Sequence, residues 1–384
     1  MVPRHDLTDQ RRAARAPAAT GQRPTGPPAA PPLQRAGADP AADVRPTREA
    51  QPTREVLAGY LHERAGELLR GLRAHDEAAG SAETAAEAAE AVRLLRRSAR
   101  RICGTLQTFR PLLDTGWSDR VGAELRWLAE VLAKEHEYAA RLDRLLTALH
   151  RLSAPAAGPD GESAGSVEAR TGRPGVGAAK AGALLERQLT LARTRAHSAA
   201  LRALGSGRFH AVADEIAVLA SEAPLDEQSA DRPAALTLRP LAELTHRRFA
   251  EAVDALPHGP EALAHTLTGT EGRHDAGWHH VRHLARQTRY ALEVLEGPRP
   301  TAPGPGADTG STTPLHAALV LVGRHLTRHR DAAEAAAAAS AAGRTPRIAP
   351  ATAYALGVLH ADQRHEVEAA RLAFCRTWPP AGDR

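Results

Sequence analysis

The sequence has few residues of the kinds that build sheets, disulfide frameworks or membrane spans. Of its 384 residues, 3% are aromatic and two are cysteine, Cys103 and Cys375. Neither a disulfide framework nor a cysteine-based zinc site is therefore expected. Alanine is abundant and β-branched residues are scarce, which excludes a sheet-dominated fold. Hydrophobic runs stay short of the roughly 18 residues that a membrane-spanning helix requires. We therefore expect an all-α protein that has no membrane partner.

Lysine is nearly absent as well, since the 50 basic residues include only Lys134 and Lys180 as lysines. The others are arginines, whose planar guanidinium groups bind phosphate through paired hydrogen bonds. Arginine and alanine are also favoured by GC-rich genomes, so composition alone does not establish phosphate binding. The 45 acidic residues leave a net charge of only +5. A strongly basic site must therefore come from local clustering.

The chain divides into a tail and a helical region. Residues 1–53 are rich in proline, alanine and arginine, which predicts a disordered tail without a secretory signal and favours the cytoplasm. Residues 54–378 carry apolar residues at helical spacing, which indicates about nine helices. A stretch rich in glycine, alanine, proline and serine, residues 153–177, is the predicted linker between a first half, 54–152, and a second half, 178–378.

Two helices, one in each half, carry matching arginine stripes. An offset of 186 residues places residues 92–109 on residues 278–295. At about 100° per residue, the arginines of each helix gather on the face opposite its apolar residues. Like charges one turn apart repel, so stripes with almost no acids favour a bound anion over an ordinary solvated face. The candidate binding residues are Arg93, Arg96, Arg97, Arg100 and Arg101 in the first helix, and His279, Arg282, Arg286 and Arg289 in the second.

An acidic residue follows each stripe at a corresponding position. The segments LAKEHE at 132–137 and LTRHRD at 326–331 align at an offset of 194 residues, and they end in Glu137 and Asp331. A carboxylate at these positions either holds an arginine fork in place or forms an ordinary surface ion pair worth under about 1 kcal/mol. Both interpretations remain open at this point.

The second stripe resembles the signature helix of a known family. Residues 279–293, HHVRHLARQTRYALE, are similar to the signature helix of CHAD domains, the conserved histidine α-helical domains. The first stripe, followed by LQTFRPLL at 106–113, resembles the other signature helix of that family. The resemblance covers about residues 54–378. It departs from the family pattern in the first half, where Arg93 stands in place of a histidine and Cys103 in place of an arginine.

The resemblance implies an all-α fold of two pseudo-symmetric helical bundles with a basic groove between them. It also implies binding of inorganic polyphosphate and association with polyphosphate granules. The residues that match the motif around the arginines, or lie beside it, are expected to support the site: Tyr290, Glu293, Glu137 and Asp331. The resulting expectation is a non-catalytic polyphosphate-binding protein without a cofactor or metal ion.

Three alternatives remain open. A polyphosphate-processing enzyme usually needs clustered carboxylates for Mg²⁺ or a glycine-rich phosphate loop, and the sequence shows neither. Glu243-x-x-His246 has the spacing of a metal-binding helix, but Glu271-x-x-His274, its only counterpart, is predicted to lie in a glycine-rich loop. A basic groove also attracts nucleic acid without specificity, although the scarcity of aromatic residues disfavours a base-stacking site.

Overall fold

Helices account for nearly all of the described chain. The computed structural model describes residues 48–78, 85–153, 174–257, 271–297 and 313–379. Within these ranges the helices are α1 Thr53–Ala78, α2 Ala85–Thr108, α3 Thr115–Ser153, α4 Pro174–Leu204, α5 Gly207–Leu219, α6 Glu227–Ala230, α7 Ala234–Asp254, α8 Glu271–Glu296, α9 Pro314–Gly343 and α10 Pro350–Thr377. The strand-like pairings in these ranges are two isolated bridges, Pro52 with Pro233 and Leu113 with Leu225. The all-α prediction is confirmed.

The nine helices that the sequence predicts are present, and among the described residues one further α-helix, the four-residue α6, was not predicted. One boundary prediction was wrong. Glu271 and His274, which we expected in a glycine-rich loop, belong to the first turns of α8. Glycine in a helix costs roughly 1 kcal/mol relative to alanine. Tertiary contacts outweigh that cost here, because Asp275 in the same segment forms buried ion pairs with Arg364 and Arg371 of α10.

Local capping chemistry sets several helix ends. The Ser206 hydroxyl accepts a hydrogen bond from the backbone N–H of Phe209 at the start of α5. The Thr313 hydroxyl accepts one from the N–H of His316 at the start of α9, and Pro314 occupies the first position of that helix. Pro111 follows the end of α2 and begins a short 3₁₀ turn, Arg110–Leu112, which leads into α3.

Three large apolar clusters and a fourth of only three residues form the core of the described chain. The first joins α1, α2, the first half of α3, α5, the start of α7 and the end of α8. The second joins the end of α3 to α4, α9 and α10, and the third joins the end of α7 to the start of α8, α9 and the end of α10. Helix α8 contributes to two clusters, with Trp278 and Val281 in the third and Ala291 and Val294 in the first. Packing into both clusters determines which face of α8 points toward α2 and α9.

Helices α3 and α4, on the two sides of the predicted linker, pack against each other in the second cluster. Residues 154–173 between them lie outside the described residues. The division into two halves and the pair of pseudo-symmetric bundles stay predictions. None of the described helices combines the length and the apolar character needed to cross a lipid bilayer.

The last residues of the predicted tail pack against the helical region. The backbone N–H of Thr53 donates to the carbonyl oxygen of Arg232 at 2.9 Å. Arg48 donates from Nε to the carbonyl oxygen of Val294 at 3.1 Å, near the end of α8. Residues 1–47 lie outside the described residues, so the prediction of a disordered tail stays a prediction for them.

Candidate anion-binding groove

Helices α2, α3, α8 and α9 enclose a groove of about 890 Å³, which we call the arginine groove. Its lining contains three carboxylates, Glu137, Asp331 and Glu334, against thirteen arginines. These are Arg93, Arg96, Arg97, Arg100 and Arg101 of α2, Arg141 and Arg144 of α3, Arg282, Arg286 and Arg289 of α8, and Arg324, Arg328 and Arg330 of α9. The two arginine stripes, although far apart in sequence, therefore face one cavity. Eight of the nine candidate binding residues line it.

Five of the lining arginines were not among the candidate residues: Arg141, Arg144, Arg324, Arg328 and Arg330. On α3 and α9 the groove-facing positions recur at helical spacing, but acids are mixed among the arginines there. The sequence pattern of those helices is therefore typical of ordinary solvated faces. The helical periodicity of Glu137, Arg141 and Arg144 is the signal that would have located the third wall.

Several groove arginines lack an acidic partner. Arg96, Arg100, Arg282, Arg286 and Arg324 form no ion pair with any residue in the described ranges. Arg282 has one weak hydrogen bond, from Nε to Thr327 Oγ1 at 3.4 Å. Burial, followed by the charges of Arg286 and Arg330, lowers the pKa of Arg282 to about 9, so the group is charged at pH 7. Partly buried like charges repel one another, and a bound anion would relieve that repulsion.

Glu293 ties α8 to the helices on the opposite wall. It accepts hydrogen bonds from Arg101 Nε of α2 at 2.8 Å and from the Tyr60 hydroxyl of α1 at 3.1 Å. Its other carboxylate oxygen lies 3.5 Å from Arg289 Nε. Burial acts to lower the pKa of Arg101, but Glu293 outweighs it and the pKa is raised. Glu293 therefore holds one groove arginine firmly charged and in place.

Tyr290 of α8 packs closely against Gly104 of α2. A Cβ atom added to Gly104 would lie 2.5 Å from Tyr290 Cδ2, so this contact requires glycine on α2. The guanidinium carbons of Arg101 and Arg289 lie 5.9 Å and 5.1 Å from the centre of the Tyr290 ring. The tyrosine thus supports arginines from both stripes.

Glu137 and Asp331, the two aligned acids, meet at one arginine. Arg330 donates from Nη1 to Glu137 at 3.2 Å and from Nη2 to Asp331 at 2.7 Å. The side chains of Glu137 and Arg330 are 13% and 20% exposed, so this is not an ordinary surface pair. Burial favours the neutral form of Glu137, but Arg330 and Lys134 outweigh it and lower its pKa. The geometry favours the interpretation in which carboxylates orient an arginine fork.

Comparisons with known proteins identify the family. The family model described as the CHAD domain matches residues 63–340. The chain belongs to the CHAD family. The solved structure of PptA from Streptomyces chartreusis matches with a TM-score of 0.68 and 52% sequence identity, over 85% of this chain and 99% of that chain. A search of curated proteins finds no match. Membership of this family supports a function related to polyphosphate.

One candidate residue of this CHAD domain lies outside the groove lining. His279 is exposed on α8, and its ring centre lies 6.1 Å from that of His329 on α9. Burial lowers the pKa of His279, Asp275 opposes that effect, and Arg282 adds to it. The side chain is therefore close to Asp275 and to Arg282, but it does not line the arginine groove.

The described part of the CHAD domain contains no group of three or more histidine, cysteine, aspartate or glutamate side chains arranged to hold a metal ion. His329, which the sequence places at metal-ligand spacing from His325, is buried and accepts a hydrogen bond at Nε2 from Arg371 Nε at 3.2 Å. His246 packs its ring against Phe249 and Trp378, with centres 6.3 Å and 5.9 Å apart.

Proposed function

We propose that this CHAD protein binds inorganic polyphosphate along the arginine groove and does not hydrolyse it. The observation that carries the proposal is the lining of thirteen arginines, five of which lack an acidic partner within the described ranges. Polyphosphate is a flexible chain of phosphates with no bases to read. Guanidinium groups spaced along a groove are suited to bind such a chain, because each forms paired hydrogen bonds with phosphate oxygens.

The carboxylates of the groove support binding over processing. A Mg²⁺ ion in a phosphoryl-transfer site needs carboxylate oxygens that are open to it. Here Glu137 and Asp331 pair with Arg330, and Glu334 pairs with Arg141. Incubation of the protein with polyphosphate and Mg²⁺ should therefore release no orthophosphate above the blank. Catalytic release that scales with protein concentration would contradict this half of the proposal.

Nucleic acid is a weaker candidate for the same groove. Proteins that bind single strands without specificity stack bases on exposed aromatic rings. The one aromatic residue in the groove lining is Tyr290, which is 6% exposed and lies beneath Arg101 and Arg289. We therefore expect duplex or single-stranded DNA to bind only through its charge and to be displaced by polyphosphate.

The first test is a titration of long-chain polyphosphate at several salt concentrations, with orthophosphate and duplex DNA as controls. Each phosphate that an arginine neutralises releases counterions, so the affinity should fall steeply as salt rises. Polyphosphate should bind more tightly than DNA at equal charge. Absence of binding at low salt would contradict the proposal, whatever the preference among anions.

The second test compares two triple variants that remove equal charge. Arg282→Ala/Arg286→Ala/Arg289→Ala removes the α8 wall of the groove. The control, Arg187→Ala/Arg195→Ala/Arg202→Ala, removes three exposed arginines of α4 that do not line it. The groove variant should bind polyphosphate at least about 100-fold more weakly and with a shallower salt slope. Equal loss in both variants would show that net charge, and not the groove, determines affinity.

In the cell, we expect the protein to associate with polyphosphate granules in the cytoplasm. Granules present long chains at high density, so a groove that binds the polymer would concentrate the protein there. A fluorescent fusion should follow granules when wild type, and the α8 groove variant should lose that pattern.

A further inference from the structure

A second, smaller cavity of about 250 Å³ adjoins the arginine groove along helices α2 and α3. The groove follows the first half of α2, whereas this small cavity follows its second half, from Arg100 to Gln107. On α3 it follows residues 126–137, and the groove continues from there to Arg144. The two cavities therefore succeed one another along the same pair of helices, and α8 contributes to both.

A layer of four arginines belongs to both cavities. The shared cations are Arg100, Arg282, Arg286 and Arg330. Three of them, all except Arg330, have no ion pair within the described ranges. Burial, then Arg286, then Arg330 lower the pKa of Arg282, and burial lowers that of Arg286 too. A phosphoanion on either side of this layer would compensate the same crowded positive charge.

The small cavity also has cations of its own. Arg126 and Lys134 line it, are exposed, and are not part of the groove lining. Glu130 is an exposed acid in the same lining. The half-buried guanidinium groups and the outer cations thus line one cavity, together with two acids, Glu130 and Glu137.

The two cavities differ in volume and therefore suit ligands of different size. Pockets for drug-sized ligands run from about 300 to 1,000 Å³. The groove lies near the top of that range and the small cavity just below it. We propose that the small cavity is a second anion site that takes a compact phosphoanion, pyrophosphate or tripolyphosphate, on the side of the arginine layer away from the polymer. The inference rests on the proposed function because both sites use the same four arginines.

The test uses two double variants of exposed cations, so the fold should be kept, and circular dichroism checks this. Arg126→Ala/Lys134→Ala removes cations that line only the small cavity. Arg97→Ala/Arg324→Ala removes cations that line only the groove. Calorimetry with pyrophosphate, tripolyphosphate and long-chain polyphosphate is carried out on the wild type and both variants at one salt concentration.

We expect Arg126→Ala/Lys134→Ala to weaken pyrophosphate and tripolyphosphate by at least about tenfold and long-chain polyphosphate by less than about twofold. The groove pair should show the reverse pattern. Equal effects of both pairs on all ligands would mean one continuous site and would overturn the inference. Wild-type binding of the polymer without pyrophosphate or tripolyphosphate would overturn it and leave the proposed function standing. Failure to bind any of the three would overturn both.

Discussion

Two clusters of arginines along α8 differ in what surrounds them. Near the start of the helix, Asp275 accepts hydrogen bonds from Arg364 Nη1 at 3.0 Å and Arg371 Nη2 at 2.7 Å. We call these three residues and His329, whose Nε2 lies 3.4 Å from Asp275, the paired cluster. Farther along the helix, Arg282 and Arg286 line the arginine groove without a carboxylate partner in the described ranges.

The comparison separates arginines that stabilise the fold from arginines that have no carboxylate partner within the described ranges. In the paired cluster the guanidinium groups of Arg364 and Arg371 are 2% and 6% exposed and share one carboxylate, so removal of that carboxylate leaves buried charge. In the groove, Arg282 and Arg286 are half-buried, form no ion pair in the described ranges and repel each other, so the fold should gain little from them. Stability and binding should therefore respond to different arginines.

Asp275→Asn should have the largest effect on stability. Loss of one partner of a buried ion pair costs about 3–5 kcal/mol, because the remaining charge stays buried. Urea denaturation should show this loss in the free energy of unfolding. Asp119→Asn is the matched control, since Asp119 pairs with Arg110 at 2.6 Å but both side chains are exposed, and it should change stability little. Similar losses in the two variants would mean that the paired cluster is not a special source of stability.

Glu293→Gln should have an intermediate effect, because it weakens the link between Arg101 and Tyr60. The expected loss in the free energy of unfolding is about 1.5–3 kcal/mol, the range for a hydrogen bond to a charged group. The variant should also bind polyphosphate differently, since Arg101 loses its anchor. A useful reference is Glu90→Gln, which breaks the exposed contact to Arg93. If Glu90→Gln lowers the free energy of unfolding as much as Glu293→Gln, the cross-helix link stabilises the fold no more than an exposed contact does.

The pH dependence of stability tests the paired cluster in another way. Burial lowers the pKa of His329 below its ordinary value of about 6.5, despite the opposing hydrogen bond of Asp275. The unfolded chain therefore takes up the proton first as pH falls, and stability decreases below about pH 6.5. Asp275 extends this loss of stability below about pH 4. Burial acts to raise its pKa, but its hydrogen-bonded partners outweigh burial and lower the pKa. His279 and His283, whose pKa values are also lowered, add to the first part.

The melting temperature should thus be lower at pH 5 than at pH 7.5, and His329→Gln should reduce that difference. Glutamine retains a side chain that accepts a hydrogen bond from Arg371 but does not titrate. A pH profile identical to that of the wild type would show that His329 does not contribute to it.

Arg282→Met/Arg286→Met should have the smallest effect on stability. Methionine keeps the apolar stem and removes two like charges that form no ion pair in the described part of the chain. The free energy of unfolding, measured at low salt without phosphate, should stay within about 0.5 kcal/mol of wild type or rise. Added salt should reduce any gain, because it screens the repulsion. A clear loss would mean that these arginines support the fold, and the contrast between the two clusters would fail.

The arginine groove was partly predictable. The stripes of α2 and α8 were visible because their arginines recur at helical spacing almost without acids, and eight of the nine candidates line one cavity. The walls from α3 and α9 were missed because acids interrupt their arginines, so each helix alone is typical of a solvated face. The packing between helices brings the four walls to one cavity. The Gly104–Tyr290 contact joins α2 to α8, and Arg330 joins α9 to α3, so the contacts link residues far apart in sequence.

Sequence alone therefore determined the helical class, most helix boundaries and the two arginine faces, because these follow from composition and from periodicity within one helix. Tertiary structure alone decided which arginines have a carboxylate partner. Arg371 and Arg286 are both arginines on helices, yet Asp275 lies beside the first and no carboxylate within ion-pair distance of the second in the described ranges. Electrostatic interactions act over distances of a few ångströms between helices. Within the described residues, the packing of α8 against α2, α9 and α10 thus determines which of these charges are compensated by a carboxylate and which are not.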